Sequence, residues 1–145
     1  ALTPKIAKLS HSMLEFAEAP RDVQILDGGG QPILGTDTNR WFFEGAWVHK
    51  FNGKYYLSYS TGSTRNIAYA VGDSPYGPFT HKGLVIPPVM GWTTQHSITE
   101  HNGKWYLFYH DTQLSNGKDH LRSMKVTELI HNDDGTIQTQ ATYFK

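Results

Sequence analysis

Residues Trp41-Phe42-Phe43-Glu44-Gly45-Ala46-Trp47 set a carboxylic acid inside an aromatic run at the mouth of a strand. Partial burial among aromatic rings favours the protonated form of a carboxyl group, and a carboxyl held protonated is a proton donor. The plainer alternative for Glu44 is a strand-end side chain in solvent. Other candidate groups are dispersed. His96 stands in Thr94-Gln95-His96-Ser97-Ile98, and Arg122 in Leu121-Arg122-Ser123. A lone His is more often structural than a ligand. The planar fork of an Arg suits carboxylates and polar ligands, or else lies on a strand surface. The indoles of Trp47 and Trp92 suit the walls of a binding subsite and equally suit core packing. His49, His81, His101 and His131 read as turn or exposed-strand residues without a role. Gly28-Gly29-Gly30 lacks the Lys and the strand-to-helix setting of a phosphate loop.

The elements that position these residues repeat. Asn52-Gly53-Lys54-Tyr55-Tyr56-Leu57-Ser58-Tyr59 matches Asn102-Gly103-Lys104-Trp105-Tyr106-Leu107-Phe108-Tyr109, at a spacing of about fifty residues that suits a propeller blade. Each copy has a β run, Asn-Gly as a hairpin turn, and a returning aromatic strand. A third run follows at 66–71 in the first copy and at 121–129 in the second. Asp73-Ser74-Pro75-Tyr76-Gly77-Pro78-Phe79 turns into a fourth strand near 80–83, and Asp133-Asp134-Gly135-Thr136 turns into one at 137–139. Four antiparallel strands, repeated, make a blade. The segment before Phe42, with short runs at 5–9 and 23–26, reads as the outer remnant of an earlier blade. No 3.6-residue periodicity appears, so almost no helix is expected. The expected fold is all-β: about two and a half four-stranded blades of a β-propeller, divided as 1–40, 41–90 and 91–145.

Composition narrows the function classes. The 145 residues carry 13 basic and 13 acidic side chains, with no concentration of charge to attract nucleic acid or an acidic membrane. There is no Cys, which removes disulfides and thiolate chemistry. No apolar run approaches the roughly 20 residues of a bilayer span, and no signal-peptide pattern opens the chain. A soluble protein of bacterial type, cytoplasmic or secreted, is expected. Eight Tyr and four Trp suit a sugar-binding cleft, though Tyr and Trp also simply suit β-sheets.

Glu44-Gly45-Ala46-Trp47 ahead of an Asn-Gly-Lys-Tyr-Tyr-Leu hairpin resembles the "EGPW" strand of glycoside hydrolase family 43. Ala68-Tyr69-Ala70 with Asp73 to Phe79, Thr94 to Ile98 with Gly103 to His110, and Leu121-Arg122-Ser123 through Ile137 resemble the same family. Ala46 departs from the common Pro. The resemblance implies a five-bladed propeller enzyme acting on arabinose- and xylose-containing plant polysaccharides, as β-xylosidase, α-L-arabinofuranosidase or both. It covers only the later part of the family domain: the tail of blade three, then blades four and five. By the resemblance Glu44 is the general acid, and Arg122 reaches the substrate or the catalytic carboxylates. His96 is implied near the propeller axis, where it helps to hold a water or a calcium ion. No cofactor is required.

Inverting hydrolysis of a glycoside needs a protonated carboxyl at the leaving oxygen and an ionised one that activates water, about 6.5–9.5 Å apart. The resemblance places the general base in blade one and a second Asp in the inner part of blade three, and neither is matched here. Asp27 and Asp37 precede Glu44, and nothing in their context prefers one as a substitute. Three readings follow: a glycosidase portion completed by other material, an inactive carbohydrate-binding or structural half-propeller, and a fragment whose main property is self-association. Two and a half blades are expected to leave apolar faces open, built from residues such as Tyr55, Leu57, Trp105 and Leu107. The expected partners are further copies of the chain or the complementary N-terminal blades, besides the sugar substrate.

Overall fold

The structure, a computed structural model, describes residues 3–92 and 94–141. Its strands are β1 (Lys5–Ile6), β2 (Arg21–Asp22), β3 (Ile25–Leu26), β4 (Phe42–Phe51), β5 (Lys54–Thr61), β6 (Ile67–Gly72), β7 (Phe79–Ile86), β8 (His96–His101), β9 (Lys104–Asp111) and β10 (Ser123–Leu129). The helical content among the described residues is one 3-10 turn, Gln113–Ser115. No helix there is long and apolar enough to cross a membrane.

Both Asn-Gly pairs form the turns their sequence demands. Asn52 and Gly53 have φ of 45° and 77°, and Asn102 and Gly103 have 52° and 78°. Two successive left-handed residues match the twist of the strands they join, which Asn and Gly tolerate best. The turns fold β4 onto β5 and β8 onto β9. The larger sheet has the order β3-β7-β6-β5-β4 and the smaller β10-β9-β8, with β1 and β2 as a separate pair. The chain is an all-β partial propeller in which the two sheets stack face to face as successive blades.

Two expectations about strands need correction. The fourth strand at 137–139 is reduced to a bridge between His131 and Ile137. Beyond it the segment leaves its own sheet and crosses to β7: Thr139 Oγ1 donates to the Leu84 carbonyl at 2.9 Å and Gln140 N to that of Val85 at 2.8 Å. The tail therefore pairs only briefly beside its own blade, with Gln138 N donating to the Ile130 carbonyl at 2.9 Å, and then ties one blade to the other. Within the run at 23–26, Ile25 and Leu26 pair in parallel with Phe79 and Thr80, so β3 is a fifth strand of the larger sheet.

Alternation along β5 divides the core into two layers. Tyr56, with Ile67, Tyr69 and Ile86, faces the smaller sheet and meets Ile98, Leu107, Leu129 and Ile137. Leu57 and Tyr59 face the other way, with Ala68, Ala70 and Phe79, and are covered by Val23 and Ile25 from the N-terminal segment. The expectation that Leu57 and Leu107 lie on open faces is overturned: the N-terminal segment covers Leu57 and the larger sheet covers Leu107, leaving them 3% and 0% exposed. Tyr55 and Trp105 are partly buried against the same layers. The open face belongs instead to the outer side of β9–β10, where Met124 (78% exposed) and Val126 (57%) stand opposite His110 and Phe108.

Candidate active site

Glu44 owes its direction to a bulge. The β4–β5 register runs Phe42 to Thr61, Glu44 to Ser60 and Trp47 to Ser58, so the ladder is irregular on both sides of Glu44. Gly45 takes φ +67°, and a Cβ there would lie 2.8 Å from Gln95 Oε1 and 3.3 Å from Ser60 Oγ. Both the left-handed backbone and the close approach call for glycine. Glu44 lines a cavity of about 210 Å³ whose wall includes Phe43, Ser60, Arg65, Trp92 and Thr94. Ser60 Oγ donates to the Thr94 carbonyl, and the two hydroxyls lie 3.1 Å apart. Thr94 Oγ1 donates in turn to the Arg65 carbonyl at 3.0 Å. The result is a concave site with aromatic faces, one acid, one guanidinium and a hydrogen-bonded wall. Behind Phe43, the Trp41 ring packs edge-on at 5.8 Å and lies directly over Gly62, where no Cβ fits.

Of the residues singled out in the sequence, the fold brings Glu44 and Trp92 together in this cavity. Trp47 is 38% exposed, and its indole N–H donates to the Ile98 carbonyl at 2.8 Å across the seam between the sheets. His96 begins β8, and its Nε2 lies 2.5 Å from Ser58 Oγ across the same seam. Burial pushes its pKa down to about 4, so it is neutral at neutral pH. Arg122 is exposed just before β10, where its charge adds to burial in lowering the pKa of His110. None of these three forms part of the cavity wall.

The His96 environment does not by itself make a calcium site. Its Nδ1 is buried without a hydrogen-bond partner among the described residues, which leaves one nitrogen to offer. Calcium takes six to eight oxygen ligands, and among the described residues no three His, Asp or Glu side chains converge to hold a metal. Asp27 and Asp37 are committed to local structure. Asp27 accepts from the backbone of Gly29 and Gln31 at 2.8 and 2.9 Å, which lowers its pKa. Asp37 is held ionised by its hydrogen-bonded pair with Arg40.

Sequence reasoning missed Arg65, Ser60 and Thr94. Their signal was place rather than motif: Ser60 is near the end of β5, Arg65 follows it and Thr94 precedes β8, all beside Glu44 in one cavity wall. It also misread His49 and His131. His49 is 7% exposed, and its Nε2 lies 2.9 Å from that of His131 in a cage of Phe51, Tyr56 and Trp105.

Residues 5–137 match the sequence family Glycosyl hydrolases family 43. The chain is 57% identical over 139 residues to a xylosidase/arabinosidase of Bacteroides ovatus, covering 96% of this chain and 43% of that protein. It is 54% identical over 138 residues to a β-xylosidase of Xylanibacter ruminicola, covering 95% of this chain and 43% of that protein. A β-xylosidase/α-arabinofuranosidase from a compost microbial metagenome, solved with xylotriose in a calcium-free form, superposes with TM-score 0.96 at 61% identity. That match covers 100% of this chain and 44% of the solved one. The chain therefore spans less than half the length of the relatives it matches.

Proposed function

The chain belongs to glycosyl hydrolase family 43, and on that premise we propose that it supplies the proton-donating part of a glycosidase. The substrates are xylose- and arabinose-containing oligosaccharides or polysaccharides, and the activity is that of a β-xylosidase, an α-L-arabinofuranosidase or both. The observation that carries this reading is the bulged Glu44-Gly45 pair, which sets the only carboxylate of the cavity wall among the described residues beside Phe43 and Trp92. In the proposed mechanism Glu44 gives its proton to the departing glycosidic oxygen as the bond to the anomeric carbon breaks. A water attacks the opposite face of the sugar and inverts the configuration. The aromatic rings hold apolar sugar faces and displace water from the reacting bond.

The water-activating carboxylate comes from outside the described part of the chain. Asp27 and Asp37 are engaged elsewhere, and among the described residues no second carboxylate lines the cavity. We assign it to the complementary N-terminal blades or to a second copy of the chain, seated on the open face at Met124 and Val126. The lone carboxylate also favours a second reading, a half-propeller that binds sugar without turnover.

The deciding experiment mixes the chain with a segment carrying the complementary blades of a relative and assays aryl xylosides and arabinofuranosides. Turnover that appears on mixing and is lost in Glu44→Gln supports the glycosidase reading. A chain that binds xylotriose yet stays inactive in every assembly is the sugar-binding protein of the second reading.

A further inference from the structure

Arg65 lines the Glu44 cavity, yet proton transfer makes no use of it. It ends a turn closed by Thr61 and Asn66, with Thr61 N donating to the Asn66 carbonyl at 2.9 Å and Asn66 N to Thr61 Oγ1 at 3.0 Å. Its backbone φ is +57°, a left-handed conformation that few non-glycine residues adopt. Such a conformation persists only where the surroundings over-determine it, and it points to a functional constraint. Here the surroundings are the loop that carries Trp92. Arg65 Nη1 donates to the carbonyl of Gly91 at 2.8 Å and to that of Trp92 at 3.4 Å. Its guanidinium carbon lies 5.3 Å from the centre of the indole, within cation–π range. From the other side, Asp119 Oδ1 accepts the Trp92 backbone N–H at 2.8 Å. The Trp92 side chain nevertheless stays largely open, with the residue 67% exposed.

An exposed indole on a loop ordinarily samples several rotamers. This one is gripped through its backbone from two sides, with a planar cation against one part of its ring system. What remains open is a flat apolar surface at the edge of the cavity. We propose that Arg65 is a positioning residue that fixes the Trp92 indole as a platform on which the apolar face of a neutral pyranose or furanose ring stacks. Arg65 thereby sets how tightly the sugar is held and takes no part in transferring the proton. The inference rests on the glycosidase reading of the cavity. The two fail separately, because Glu44→Gln tests the proton donor through turnover and Arg65 is tested through binding and indole order.

The experiment uses the 145-residue chain and xylotriose, with the indole N–H signals followed by NMR and the Trp92 signal identified by its absence in Trp92→Phe. Xylotriose is expected to shift that signal. Arg65→Met, which keeps the length of the side chain but removes the fork, is expected to weaken xylotriose binding about 5–10-fold and to make the Trp92 indole more mobile without sugar. Arg65→Lys restores part of the binding, as a point charge without the planar fork. Because Arg65 acts through Trp92, adding Arg65→Met to Trp92→Ala is expected to weaken binding no further than Trp92→Ala alone. Three results overturn the proposal: an Arg65→Met indole as ordered as in the wild type, fully additive losses in the double variant, or a wild-type chain to which xylotriose does not bind. A melting curve for each variant shows that the loss is not one of folding, and Arg65→Lys carries the comparison should Arg65→Met not fold.

Discussion

The Nε2 atoms of His49 and His131 meet at 2.9 Å, one ring on β4 of the larger sheet and the other just beyond β10 of the smaller. One imidazole donates and the other accepts, so the seam between the blades is closed by two neutral rings stacked against Tyr56 and Phe51. Burial is the main reason that the pKa of His49 falls to about 3 and that of His131 to about 4, with the charges of His131 and His96 adding to the shift in His49. An unfolded His takes up its proton near pH 6.5. Between that pH and about 4 the unfolded chain binds more protons than the folded one, so stability falls as the pH is lowered through this window and is unaffected by these rings above it. Thermal melts from pH 8 to pH 4 are expected to show a plateau and then a decline. His131→Gln is expected to be less stable at pH 7 and to decline more gently, by about 1.4 kcal/mol per pH unit for each titrating ring removed. Equal slopes in variant and wild type would exclude the pair as the cause. The lowered carboxylates Asp27, Asp37 and Asp134 act further down the scale, because their contribution is lost only as they protonate.

In an active assembly Glu44→Gln is expected to reduce turnover by a factor on the order of 10² or more, the usual worth of general-acid assistance. The loss depends on the leaving group. A nitrophenolate departs with little help, whereas the sugar hydroxylate of a natural oligosaccharide needs the proton. Steady-state rates on both substrates check this, and an equal, small loss on each would remove Glu44 from the mechanism.

Two glycines near the cavity are expected to respond differently to a methyl group. In Gly62→Ala the new Cβ falls 1.7 Å from Trp41 Cζ2, so a rigid indole has to move, at a cost of about 1–3 kcal/mol. In Gly45→Ala the nearest atom is the mobile end of Gln95, and the cost is mainly that of the left-handed backbone, about 1–2 kcal/mol. Urea midpoints measure both. Gly45→Ala is expected to lose more activity than its stability loss explains, since the bulge at Gly45 directs Glu44.

The open face of the smaller sheet gives a test of assembly. Val126→Lys places a charge between Met124 and Glu128 on β10, opposite Phe108. Stability of the isolated chain is expected to change by no more than about 0.5 kcal/mol, as for an exposed site. Association with a second copy or with complementary blades is expected to weaken at least tenfold. Light scattering and sedimentation at low micromolar concentration measure it, and association as tight as in the wild type would move the interface elsewhere.

The repeated hairpins were legible because Asn-Gly and alternating aromatics are local signals, and β4, β5, β8 and β9 follow them closely. The third strands were legible for the same reason. The fate of 137–140 was not, because it is decided by hydrogen bonds to Leu84 and Val85 on a different sheet. Glu44 stood out by chemical contrast with its neighbours. Arg65 did not, since Thr64-Arg65-Asn66 has the composition of any polar turn and its importance comes from a loop far along the chain. His49 and His131 escaped notice because alternation along one strand cannot tell which partner will cover a residue from another blade.

The parallel pairing of β3 with β7 bears on the order in which the chain can fold. Ile25 and Leu26 leave the ribosome some fifty residues before the edge they pair with, Phe79 and Thr80. Meanwhile β4, β5 and β6 need only their neighbours in sequence and can zip as they emerge. A nascent chain halted before Phe79 thus holds a finished hairpin beside a β3 whose parallel partner has not been made, and Leu57 and Tyr59 lack the cover of Val23 and Ile25 in its final position. Pairing across such a separation is the slow kind. Ile25 and Leu26 are thus among the last residues of this segment to find their place, and a stalled ribosome presents a chaperone with that uncovered face.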